Sequence, residues 1–211
     1  EVSKKLLESV IEFGKKRKLE FVDGPVGFSN MDKAGLLIEG YEELNTMITW
    51  YHYPYQKDHL KKLGFSKLAE WVEYKIKIFS AEDAPEKVKK FSKIIQQRYE
   101  LKVLNFKSRK EIIPYVDKMF ELLNVTYSNL QTYVTIKQYQ IDFYKEKFIK
   151  YIHPDFIKCC LDKDDNLIAF LITMPSFSRA LKKINGKMGL MGYLRLFKAQ
   201  HFNDRVSLYL I

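Results

Sequence analysis

The sequence predicts an α/β protein, an α+β sheet with flanking helices, from three observations. Residues 155–161 and 167–174 are short apolar runs separated by Asp162-Lys163-Asp164-Asp165-Asn166, a polar turn cluster, and read as an antiparallel hairpin. Several stretches repeat apolar residues at helical spacing, beginning with residues 2–17. The last residues, 205–211, alternate, with Val206, Leu208 and Leu210 on one face.

Taken in order, residues 2–17 form an amphipathic helix carrying Leu6, Leu7, Val10 and Phe13 on one side. Residues 19–22 read as a short strand ended by Gly24-Pro25. Residues 24–43 hold four glycines and little periodicity, so an irregular loop is expected. Pro54 opens a helix at a position where its missing N–H costs nothing, and Gly64, able to take positive φ, stops it. Residues 71–78 alternate apolar and polar and read as a strand.

Residues 80–85 are small and acidic, a plausible boundary, and 85–97 read as a connecting helix. Residues 101–106 alternate as a strand. Ser108 and Glu111 have capping-box spacing ahead of a helix that runs to about Leu123 with Pro114 inside it. A second helix is expected from about Thr135 to Lys150. After the hairpin, Ser178 to Ile184 reads as a short basic helix, with Ser178 as a candidate N-cap, and a further helical piece lies around residues 193–199.

Composition bounds the function. A hydrophobic fraction of 46% over 211 residues permits a sizeable core and argues against disorder. No apolar run approaches the roughly 18 residues that span a bilayer, so no membrane partner is expected. No basic-then-apolar leader is visible, and residues 2–13 already read as mid-domain helix, so a piece of a longer chain is expected. The two cysteines, Cys159 and Cys160, are neighbours. Adjacent cysteines close a strained ring, so no disulfide framework is expected, and a reducing, cytoplasmic location follows. One thiol should face the core and the other outward. The four histidines show no metal-ligand spacing, and no metal is expected.

The net charge of +10 is uneven. Residues 1–80 carry 13 Lys/Arg against 12 Asp/Glu; residues 81–211 carry 23 against 14. A basic half suits an anionic cofactor, nucleic acid, or simply solvated helix faces. Tyr127, Tyr133, Tyr139, Phe143 and Tyr144 lie among lysines, as stacking platforms require. At helical spacing they read better as core, so nucleic acid is not the favoured partner.

This order of elements resembles the GNAT acyltransferase superfamily. A GNAT domain runs strand, one or two helices, hairpin and fourth strand, then a phosphate-binding loop and helix, strand, helix, strand. Residues 99–211 resemble the first half and residues 1–80 the second, joined by a helical linker at 81–98. The whole chain resembles a bacterial group of tandem GNAT-like N-acyltransferases of uncharacterised substrate, most specifically in the segments GPVGFSNMDKAGLLIEG and PSFSRAL. The resemblance implies acyl-CoA as co-substrate and an amine or other small-molecule acceptor. It also implies that the pyrophosphate loop would precede Glu1 in one domain and follow Ile211 in the other. Without that loop acyl-CoA should bind poorly. The backbone of Leu208, Tyr209, Leu210 and Ile211 would meet the pantetheine arm.

In many GNAT enzymes a Tyr four residues before the helix-ending Gly protonates the leaving thiolate. That position is Leu60 here, which leaves Tyr55 as a substitute acid, or as an aromatic packed at a helix start. Glu39 is a candidate base and Glu42 a candidate amine ligand, or both are solvated loop carboxylates. Ser176 and Arg179 are candidates for a pocket mouth, where Arg179 could hold a carboxylate or phosphate. The expected function is N-acyl transfer by the parent protein, with a degenerate binding module as the alternative. A homodimer is compatible with either. Residues 205–211 are expected either to pair with residues 19–22 in a permuted sheet or to remain an exposed edge prone to association.

Overall fold

The structure, a computed structural model, describes residues 1–29, 31–77, 80, 82–130, 133–148 and 153–211. The chain forms two compact units, Glu1–Glu70 and Trp71–Ile211.

In the first unit, α1 spans Val2–Lys16 and α2 spans Tyr55–Lys62. Both end in the same physical way. Lys18 takes positive φ after α1, and the Leu19 N–H reaches back to the Gly14 carbonyl. Gly64 does the same after α2, with the Phe65 N–H on the Leu60 carbonyl. These six-to-one bonds satisfy carbonyls that a helix end leaves orphaned. Ser3 Oγ and His59 Nε2, 2.7 Å apart, tie the two helices together. Between them residues 24–40 close on Asp32, whose carboxylate accepts from the amides of Phe28 and Ser29. Gly27 is required there: a Cβ would fall 2.1 Å from the Asp32 Cβ.

Two expected strands do not form. Residues 19–22 are irregular, because Leu19 is committed to the α1 cap and no partner strand exists in this unit among the described residues. Without a strand at 19–22, these residues offer no edge for the expected permuted sheet. Residues 71–77 are likewise irregular and exposed, although they alternate in sequence. Alternation creates a strand only where a neighbouring edge can pair with it. Ile78, the last residue of that expected strand, lies outside the described residues, as does Lys150, the expected end of the second helix.

The second unit is a mixed α+β layer. Its elements are α3 (Glu86–Arg98), β1 (Lys102–Asn105), α4 (Arg109–Thr126), α5 (Gln138–Phe148), β2 (Ile157–Leu161), β3 (Leu167–Pro175), α6 (Ser178–Ile184), α7 (Leu190–His201) and β4 (Val206–Leu210). The four strands form one open antiparallel sheet in the order β1-β2-β3-β4. The expected hairpin is present. Its turn is built on Asp162, whose carboxylate accepts from the amides of Asp164 and Asn166 and from the Asn166 side chain. Asn166, first through its side chain and then through its amide, holds the Asp162 carboxyl below its usual pKa.

Register explains the core. Leu104 lies opposite Cys159, and Cys159 opposite Phe170; Ile157 lies opposite Ile172, and Ile172 opposite Leu210. These two cross-strand rows share one face, and all six residues belong to the core or pack against it. Helix α4 covers them with Ile112, Met119, Phe120 and Leu123, a spacing of seven, one and three residues that lines one helix face. Helix α5 adds Ile141 and is pinned to α4 by Lys145, which bridges to Asp117. Cys159 is buried and Cys160 half-buried, and both are free thiols, as the alternation requires. Burial first, and Cys160 second, push the Cys159 thiol up to about 11.

Three local details differ from the sequence reading. Ser108 caps α4 without accepting an amide; its hydroxyl donates to Glu111, whose carboxylate also accepts from the Lys107 N–H. Ser178 is the first helical residue of α6, and the cap position falls on Phe177. Helix α5 begins at Gln138 rather than near Thr135, because the amide and carbonyl of Ile136 are bonded to Asn124 and cannot enter a helical ladder.

Ile157→Ala, which empties the centre of the second row, is expected to destabilise the chain by about 2–5 kcal/mol, measured by urea unfolding. At pH 8, Cys160 should react with a thiol reagent while Cys159 stays protected in the native state. Because the folded pKa of Cys159 is raised, its contribution to stability is complete below pH 9 and should be lost as pH rises towards about 11.

Candidate functional site

The open edge of β4 is the feature that most resembles a binding site. Pairing runs Pro175 with Val206, Met174 with Ser207 and Thr173 with Leu208, then shifts so that Ile172 faces Leu210. Tyr209 is thus the extra residue of a β-bulge. Bulges bend a strand, increase its twist and interrupt its ladder. Among the described residues β4 has no neighbour on its other side, so its backbone groups face outward there.

The connection between α4 and α5 reaches this edge. Tyr127 Oη donates to the carbonyl of Ile211, the residue after β4, at 3.2 Å. Its ring meets Tyr133 edge to face, with centroids 6.1 Å apart. Tyr133 donates to Asn124 Oδ1 at 2.5 Å, and the same amide side chain binds both backbone groups of Ile136. The half-buried Asn124 side chain therefore ties Tyr133 and Ile136 to the last turn of α4. Burial, then the neighbouring Tyr127, raises the Tyr133 pKa, and burial raises that of Tyr209. Both phenols stay protonated at neutral pH and can donate hydrogen bonds or protons, which excludes them as bases. Sequence periodicity had placed Tyr127 and Tyr133 only among core aromatics. Asn124 carried no signal, because its role depends on a loop that returns twelve residues later.

Of the sequence-predicted residues, Leu208, Tyr209, Leu210 and Ile211 lie on this edge. Ser176 and Arg179 lie beside a shallow cleft of about 190 Å³ between α6, α7 and the start of β4. The Ser176 N–H donates to the Arg205 carbonyl, and the Ser176 carbonyl accepts from the Asn203 side-chain amide. Arg179 is already engaged with Asp204 in a two-oxygen ion pair, at 3.1 and 3.3 Å. This exposed ion pair links α6 to the turn before β4. Ser176 and Arg179 line the cleft together with Lys183, Arg195, Lys198 and Arg205, four cations that sequence reasoning did not single out.

In the first unit Tyr55 begins α2, is exposed, and stacks on Tyr53, with ring centroids 6.2 Å apart and planes 17° apart. Tyr53 meets Tyr51, and Tyr51 meets Tyr41, so Tyr55 ends a string of aromatic contacts. Glu39 and Glu42 are exposed loop residues. Glu39 adds a small electrostatic contribution to keeping Lys67 charged, behind the direct partner Glu70. Among the described residues no cluster of three His, Cys, Asp or Glu is placed to hold a metal ion. No described helix is long and apolar enough to cross a membrane.

The second unit thus defines a class: an α+β protein with an open four-stranded antiparallel sheet, helices between its first two strands and a bulged, unpaired edge. Protein YghO of Escherichia coli (strain K12) is 21% identical over 179 residues, 83% of this chain and 44% of that protein. The chain spans less than half the length of this curated relative. No protein-family model matches the chain, and no solved structure matches it.

Asn124→Ala leaves the Ile136 amide and carbonyl unpaired and is expected to cost about 1–3 kcal/mol. Hydrogen exchange should localise the loosening to residues 133–136 and not to the β2–β3 hairpin.

Proposed function

We propose that the chain is part of a GNAT-type N-acyltransferase, one that transfers an acyl group from acyl-CoA to an amine. The observation that carries this reading is the second unit's topology: a strand, two helices, a hairpin and a bulged fourth strand in meander order. That is the first half of the architecture the sequence resembles, with α6 and α7 inserted before β4.

In this reading the acyl-CoA pantetheine arm lies along β4. Its amide groups exchange hydrogen bonds with the backbone of Leu208, Tyr209, Leu210 and Ile211, as an added strand would. The bulge at Tyr209 opens that edge. The acceptor amine attacks the thioester carbonyl, its proton leaves to a base or water, and the departing thiolate takes a proton. Tyr209, in β4 itself, and Tyr133, beside Tyr127, join Tyr55 as proposed proton donors. Glu39 and Glu42 remain proposals for base and amine ligand, and Ser176 and Arg179 for substrate contact. Arg179 would first have to release Asp204. A cytoplasmic location accords with the free thiols.

The second reading is a GNAT-fold binding module without catalysis. The observation that favours it is Leu60, standing where the acid Tyr is common in the first unit.

Titrating acetyl-CoA and a longer acyl-CoA into the isotope-labelled chain distinguishes the two. Saturable amide shifts at Leu208 to Ile211, lost on Leu208→Pro and kept on Tyr209→Phe, are the expected result. Shifts absent from β4 both here and in a longer chain that carries the pyrophosphate loop would count against acyl-CoA binding and favour the module.

A further inference from the structure

Helix α7 turns its apolar stripe outward. Gly192 seats it on α6: a Cβ there would lie 3.3 Å from Met188 Sδ and 3.7 Å from the Ile184 side chain. Leu196 and Ala199 complete the inward side, both half-buried. The opposite side presents Leu190, Tyr193, Leu194 and Phe197, at spacings of three, four and seven. Their exposures are 78%, 62%, 53% and 59%. This spacing normally marks the buried face of a helix. Met188 and Met191 extend the patch, both exposed.

The same segment is purely cationic. Between Ser178 and Asn203 stand Arg179, Lys182, Lys183, Lys187, Arg195 and Lys198, with no Asp or Glu. The other helices with exposed apolar positions differ: α1 carries Glu8 and Glu12, and α3 carries Glu86. Arg195 and Lys198 belong to both features. They line the 190 Å³ cleft and alternate along α7 with Leu194 and Phe197.

We propose that α6 and α7 dock this unit on an anionic phospholipid surface, with Leu190, Leu194 and Phe197 entering the acyl boundary and Lys183, Arg195 and Lys198 holding headgroup phosphates. Charge complementarity and the apolar stripe select this occupant together. A nucleic acid would use the cations and leave four large apolar side chains in water. A second copy of the chain would cover the stripe and bring two cationic segments together. An interfacial helix needs an apolar face and a cationic flank, not a span of roughly 20 apolar residues, so docking is compatible with the absence of a crossing helix. The sequence-based expectation of no membrane partner rested on spanning alone.

Vesicle co-sedimentation tests this with the whole 211-residue chain, on phosphatidylcholine vesicles with and without phosphatidylglycerol. The chain should pellet with the anionic vesicles, less so at high salt, and not with neutral ones. Lys183→Ala and Lys198→Ala should each weaken binding about fivefold, the worth of one basic residue at such a surface. Leu194→Glu with Phe197→Glu should abolish binding while circular dichroism and the unfolding midpoint stay unchanged, since both side chains are exposed. Failure to bind anionic vesicles would overturn the proposal, as would binding that survives the Leu194 and Phe197 changes. Self-association lost with those two changes, in the absence of vesicle binding, would assign the stripe to a second copy. Duplex DNA binding that needs the lysines but not Leu194 or Phe197 would assign the cations to nucleic acid.

Discussion

Everything placed in the second unit hangs on the register of β2 against β3. With Cys159 opposite Phe170 and Ile157 opposite Ile172, the apolar residues of three strands fall into rows on one face, and α4 has a surface to bury. A slip of one residue would turn those side chains to the other face. The Asp162 turn sets this register locally, through five hydrogen bonds closed within five residues. The long-range contacts then reward a pairing that the turn has already made short.

The candidate site is a consequence of where that core ends. Row two ends at Leu210 on β4. The bulge at Tyr209 brings Leu210 into line with Ile172 while leaving the edge of β4 open. At the end of α4, Asn124 holds Ile136 and Tyr133, and Tyr127 meets Ile211. Core and edge are therefore linked through one helix: its apolar side covers the sheet, and its C-terminal cap residue, Tyr127, touches the residue after β4.

The α6–α7 pair follows a different logic. It interrupts the meander between β3 and β4 and is fastened by the Arg179–Asp204 ion pair and by contact at Gly192. Because its inward side is small (Gly192, Ala199), it sits close, and its large apolar residues are left for something outside. A cationic segment without a single carboxylate is then what makes an anionic apolar boundary the fitting partner.

Much of this was legible in the sequence. The hairpin, α1, the helix stopped by Gly64, and the inward and outward thiols follow from period and turn chemistry, which act over a few residues. Of the two expected strands, 19–22 and the alternating 71–78, the described residues are irregular, because a strand is completed by a partner that periodicity cannot supply. Capping at Ser108 and Ser178 was placed one interaction away from what the backbone adopts, since several donors compete for each acceptor. Tyr127 and Tyr133 were visible only as aromatics; Asn124, the bulge at Tyr209 and the outward stripe of α7 were not visible at all. Local sequence determines which segments are helical or extended and which of their faces is apolar. Only tertiary structure decides which apolar face is covered, because that depends on contacts between residues dozens of positions apart.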